Sequence, residues 1–146
     1  NPYYHYLLSD MYSEIWLGKD RGAQMVRLGS LERLGVPFAL HSDSPMAPLS
    51  PLTLAWNASN RITINGETSA PEERISLTAA LRAITVDAAW IVGWEDEIGS
   101  IRAGKRADFT VLEADPYAVG VAGLRDIQVW GTVFEGKAHP IANVIK

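Results

Sequence analysis

The chain has 146 residues, enough for one ordinary domain core, and its 47% hydrophobic and 21% charged composition is that of a soluble globular protein. Thirteen basic and 17 acidic residues leave a net charge of -4 with no Lys/Arg run, so nothing marks a nucleic-acid partner. The absence of cysteine excludes a disulfide scaffold and thiolate metal sites.

No stretch approaches the roughly 18 uninterrupted apolar residues of a membrane helix, and Asn1-Pro2-Tyr3-Tyr4-His5 is no signal peptide. Cytoplasm is therefore favoured. An export signal carried on upstream residues would reverse this, because the chain does not begin with Met.

In chain order, Asp20 to Leu34 reads as an amphipathic helix closed by Gly35. A strand, Val36 to His41, follows at once. Leu49 to Asn60 reads as a second helix after a proline-rich loop, and Ile62 to Ser69 as a turn region around Asn65-Gly66. Ser76 is an N-cap for a helix over Leu77 to Ile84, and Thr85 for a short one over Val86 to Val92, ended by Gly93. Beyond Gly93 the segments become short and β-branched: Ile98 to Ile101, Ala107 to Leu112, Ile127 to Phe134 and Ala138 to Val144. Glu135-Gly136 is a tight turn between two of these. The chain thus divides into an α/β portion, residues 1–93, and a β-rich portion, residues 94–146.

The strand Val36 to His41 ends in His41-Ser42-Asp43 and is then stopped by Pro45 and Pro48. Alternation places Ala39, His41 and Asp43 on one face and Phe38 and Leu40 on the other. Such a pattern suits a (β/α)8 barrel strand, whose C-terminal end carries catalytic groups. A carboxylate there can ligate a divalent metal or take a proton from metal-bound water. From residue types alone the commoner reading of Asp43 is a turn former, since Ser42-Asp43-Ser44-Pro45 is good turn chemistry. His41 is equally a pocket residue or a structural hydrogen-bonder.

Four segments, GVPFALHSDSPMAPLSPL, NASNR, SAPEERISLTAALRAITVDAA and GSIRAGKRADFTVLEADP, resemble the C-terminal end of the amidohydrolase superfamily. Within it they are most similar to amidohydrolase family 3, a set of metal-dependent hydrolases, and the likeness runs from about Pro2 to Gly136. The resemblance implies an α/β fold: the last part of a (β/α)8 TIM barrel (strand 8 and flanking helices), then a small β-sandwich built from both chain ends. It assigns Asp43 as the catalytic carboxylate of the eighth strand, a metal ligand and proton shuttle; His41, on the same face, is the candidate for the substrate pocket on that ground alone. It also implies a divalent metal, Zn2+ as one or two ions, in the full-length enzyme. The reaction is hydrolysis of a non-peptide C–N bond, as in an amide or cyclic amide, by metal-activated water. The partner implied is a small amide-type substrate, with homo-oligomers allowed.

The departure from the family is as large as the likeness. Its His-x-His pair, its Lys or Glu and its two further His have no counterparts here, where only His5, His41 and His139 occur. The chain therefore reads as the last third of a larger enzyme, unable to hold a catalytic metal by itself. A non-catalytic small α/β binding or assembly module is the competing reading. Asp108, Lys105 and Arg106 read as turn residues, Arg61 as one half of a salt bridge, and Trp56, Trp90, Trp94 and Trp130 as packing residues.

Overall fold

The computed structural model describes residues 1–141, an α/β arrangement in which short helices precede one small antiparallel sheet. Helix α1, Pro2–Met11, starts where the Asn1 side chain accepts a hydrogen bond from the Tyr3 N–H and Pro2 occupies the first turn. α1 carries His5 and Ser9 inward.

The helix expected over Asp20 to Leu34 is broken in two. α2 covers Lys19–Gly22 and α3 covers Leu28–Arg33, separated at Val26, whose φ of 53° is left-handed. The cause lies far along the chain. The Arg61 guanidinium donates to the carbonyls of Met25 and Val26, both at 2.9 Å, and holds the intervening backbone away from the helical path. Gly22 fixes the other side, for a Cβ there would lie 2.0 Å from the Ser13 Oγ.

Val36 to His41, expected as a strand, has no regular secondary structure and pairs with no strand among the described residues. Strand composition alone does not make a strand, because a ladder also needs a neighbour. The Leu40 N–H donates instead to the Ala83 carbonyl at 3.1 Å, outside any sheet.

Helix α4, Pro51–Asn60, is the centre of the body. Ser50 caps it by accepting from the Thr53 N–H, and Leu52, Leu54, Ala55, Trp56 and Ala58 are buried along it. Trp56 meets Tyr6 of α1 edge-on, and Leu28, Ile75, Ala80, Leu124 and Ile127 close the same core. Burying each such large side chain contributes on the order of 2 kcal/mol. The later part of the chain packs on the same helix. The Trp56 indole donates to the Ala122 carbonyl at 2.9 Å, and the Arg125 guanidinium lies 3.9 Å over its ring. Trp90 and Trp94, read from sequence as packing residues, are instead 53% and 54% exposed, and Trp130 is also exposed.

α5, Leu77–Ala83, is capped as expected, Ser76 accepting from the Ala79 N–H, with Glu32 holding the Ser76 N–H at 2.9 Å. α6, Val86–Ile91, follows, but the Thr85 hydroxyl turns back to the Leu81 carbonyl rather than capping it. Glu73 ties α3 to the Pro71–Glu73 turn, accepting from the Ser30 N–H at 2.7 Å and from the Ser30 hydroxyl and Arg33. Burial pushes its carboxyl up, but the Ser30 hydrogen bonds and the Arg33 and Arg27 guanidiniums outweigh this and hold it below its ordinary value.

The sheet is a meander of β1, Phe109–Leu112, β2, Val129–Phe134, and β3, Lys137–Pro140, in that order. A short helix α7, Pro116–Val119, and a 3-10 segment, Val121–Asp126, connect β1 to β2. Glu135 and Gly136, both at positive φ, form the tight turn joining β2 to β3. Ile98 to Ile101 is not a strand. The expected last strand is observed only as Lys137–Pro140, and its continuation beyond Ile141 lies outside the described residues. Of the expected β-sandwich, the described residues form one sheet. No described helix is long and apolar enough to cross a membrane.

Candidate active site

Asp43 stands exposed just after the Val36 to His41 run. Its φ of 54° places it in the left-handed region, which costs a non-glycine residue about 1 kcal/mol. The residue is therefore held rather than relaxed. Its carbonyl accepts from the Met46 N–H at 2.8 Å, closing a turn, so the turn chemistry legible in Ser42-Asp43-Ser44-Pro45 is present. The side chain is not used by that turn. It points instead to α1, where the Tyr4 hydroxyl donates to Asp43 Oδ2. One residue earlier, the Ser42 carbonyl accepts from the Asn1 amide at 2.8 Å.

The start of α1 thus grips Ser42 and Asp43 at two points. Tyr4 is the site residue that composition and motif do not single out. Its contact joins residues 39 positions apart, and only the Asn1 cap and Pro2 hint that a helix begins here. The Asp43 hydrogen bond is the main cause that raises the Tyr4 hydroxyl above its ordinary pKa of 10.0.

His41 is exposed and lines a shallow depression with Leu40, Leu49, Leu54 and Ile84. It makes no hydrogen bond to Asp43 among the described residues. The alternation that would align the two stops where Asp43 turns left-handed.

Other polar residues fall away from this corner. Arg61 is 2% exposed and forms no salt bridge among the described residues, contrary to expectation. It donates to three carbonyls instead, those of Met25, Val26 and Ser69. Burial lowers its pKa to about 10, so it stays charged at neutral pH. His5 lies 1% exposed in α1, with neither ring nitrogen hydrogen-bonded among the described residues. Burial first, then the Arg61 charge, lowers its pKa to about 4 and keeps it neutral.

The Gly104-Lys105-Arg106-Ala107-Asp108 stretch is a clasp, remote from Asp43 in role. Lys105 donates to the Glu95 and Ile98 carbonyls, Arg106 pairs with Glu97 at 2.9 Å, and Asp108 accepts from the Glu135 N–H at 2.7 Å. His139 is exposed on β3.

Among the described residues no three His, Asp or Glu side chains converge in a way that could hold a metal ion. A catalytic zinc takes about three protein ligands. Asp43, engaged by Tyr4, supplies at most one, so these residues do not by themselves fit such an ion.

Over residues 5–138 the sequence matches the family described as the amidohydrolase family. The chain belongs to the amidohydrolase family. A curated relative of this amidohydrolase-family chain, the N-substituted formamide deformylase of Arthrobacter pascens, is 35% identical over 123 residues. That alignment covers 84% of this chain and 23% of the relative. An amidohydrolase from Thermotoga maritima MSB8 superposes with a TM-score of 0.57 at 28% identity, over 76% of this chain and 24% of that one. An uncharacterized metal-dependent hydrolase from Pyrococcus furiosus does so at 0.58 and 28% identity, over 73% and 21%. The chain spans about a quarter of the length of these relatives.

Proposed function

We propose that this chain is the C-terminal part of a metal-dependent amidohydrolase that hydrolyses a non-peptide C–N bond, with Asp43 as its proton-handling carboxylate. The observation that carries the reading is Asp43 itself, an exposed carboxylate kept in a left-handed conformation by the turn around it. Val36 to His41 is read as the eighth strand of a (β/α)8 barrel, residues 1–93 as barrel and residues 94–146 as the β-rich subdomain. A strand-like apolar run left without a strand neighbour supports this, as do apolar side chains such as Ile15 and Leu34, 70% and 75% exposed. In this reading further parts of the enzyme cover them.

The chemistry assigned to Asp43 is to accept a proton from the attacking water and return it to the leaving nitrogen. Zinc, one or two ions in this reading, belongs to the assembled enzyme, because one carboxylate does not make its site. The substrate class is a small amide or cyclic amide. The deformylase relative supports including N-substituted formamides among the candidates.

The test uses the full-length enzyme and a panel of N-substituted formamides and cyclic amides, scored by release of amine or carboxylate. Asp43→Asn keeps the fold and lowers turnover on the best substrate by about a hundredfold or more. Unchanged turnover would remove Asp43 from the chemistry.

A further inference from the structure

We infer that Tyr4 is a positioning residue for Asp43, fixing the carboxylate by one oxygen so that the other faces the reaction. The inference rests on the reading of Asp43 given above. A carboxylate has two equivalent oxygens and a freely turning bond. As a proton acceptor it is most effective when one oxygen is oriented by a donor and the other is open.

Tyr4 supplies such a donor. Its hydroxyl is bound to Oδ2, and no other side chain hydrogen-bonds to the Asp43 carboxylate among the described residues. The donor is itself anchored. Asn1, three residues earlier, both caps α1 and reaches the Ser42 carbonyl at 2.8 Å, so the backbone before Asp43 and its side chain are held by the same helix turn. Pro2 and His5, on either side of Tyr4, are buried and fix that turn against the body. The carbonyl of Asp43 is held separately by the Met46 N–H. Backbone before, backbone after and one carboxylate oxygen are therefore restrained, and Oδ1 is left for chemistry.

Tyr3 is the natural control. Its ring packs at a tilt of 44° against Tyr6 with centroids 5.3 Å apart, and its hydroxyl forms no hydrogen bond among the described residues.

The experiment compares Tyr4→Phe, Tyr3→Phe and Asp43→Asn in the full-length enzyme, on the best amide found above. Tyr4→Phe is expected to lower kcat about ten- to a hundredfold, as loss of one hydrogen bond to a charged group does. KM should stay within about twofold, since ground-state binding is untouched. Tyr3→Phe leaves kcat unchanged. In a crystal structure of Tyr4→Phe the Asp43 carboxylate occupies more than one rotamer, against one in the parent.

In the Asp43→Asn background, adding Tyr4→Phe should cost little more, because an amide takes no proton and leaves the Tyr4 hydroxyl no base to orient. Full activity in Tyr4→Phe beside a dead Asp43→Asn overturns the role of Tyr4 and leaves Asp43 standing. A rise in KM at constant kcat, or an equal loss in both backgrounds, also overturns it. Full activity in Asp43→Asn overturns the underlying reading instead.

Discussion

The Tyr4 hydroxyl reaches Asp43 Oδ2 across 39 positions of sequence, joining the first turn of the first helix to the turn that follows the Val36 to His41 run. Through this contact an exposed carboxylate acquires an orientation that its own neighbours in sequence do not provide. It also makes α1 part of the site, although α1 carries none of the family's recognisable motifs.

Stability at Asp43 should follow backbone conformation and run independently of activity. With φ at 54°, Asp43→Gly removes the left-handed cost while giving up an exposed hydrogen bond, so its unfolding free energy should stay within about 0.5 kcal/mol of the parent. Asp43→Val places a β-branched residue in that region and should lose about 1–3 kcal/mol. Urea unfolding of the two variants reads the difference, and equal stabilities would contradict the left-handed conformation.

Arg61 should be needed as arginine and not merely as a cation. Three carbonyls, of Met25, Val26 and Ser69, receive its planar fork from within the body. Lysine cannot span them, so Arg61→Lys should destabilise by about 2–3 kcal/mol and free the Met25-Val26 backbone. Thermal unfolding, with proteolysis between α2 and α3, measures both effects. A melting temperature equal to the parent's would show that the clamp is idle.

His5 should give the protein an acid-sensitive limb. Its pKa is about 4 in the folded chain against 6.5 ordinarily, so between these values the unfolded state binds the additional proton. Its contribution is fully present above about pH 6.5 and is lost progressively as pH falls toward about 4, by up to about 3 kcal/mol. His5→Leu removes both the titration and the two unpartnered ring nitrogens. Unfolding free energies at pH 7 and pH 5 should therefore differ less in His5→Leu than in the parent. An unaltered pH slope would count against a buried neutral His5.

Some of this was legible residue by residue. Ser76 announced the start of α5 and Glu135-Gly136 the hairpin turn, whereas the apolar run before His41-Ser42-Asp43 reads as a strand and pairs with none among the described residues. The first two signals are each complete within a few residues, so no distant contact is required to interpret them. The kinship with amidohydrolases was legible for the same reason, being carried by short ordered motifs.

Where the reading failed, a distant partner had intervened. The periodicity of Asp20 to Leu34 favours one helix, yet Arg61 captures two carbonyls 35 and 36 positions away and breaks it. Arg61 reads as an ion-pair residue because its surroundings, three backbone carbonyls from two separate segments, are assembled only by folding. Trp90 and Trp94 looked like packing residues, but hydrophobicity does not say which apolar side chains find a partner.

The family, the local caps and turns, and a carboxylate following an apolar run depend on residue type and on order along the chain. Folding alone brings Tyr4 and Asn1 to that carboxylate and its backbone, makes Arg61 a carbonyl clamp, and buries His5 in its neutral form. Hydrogen bonding and desolvation act between groups near in space, and spacing along the chain does not state which groups those are.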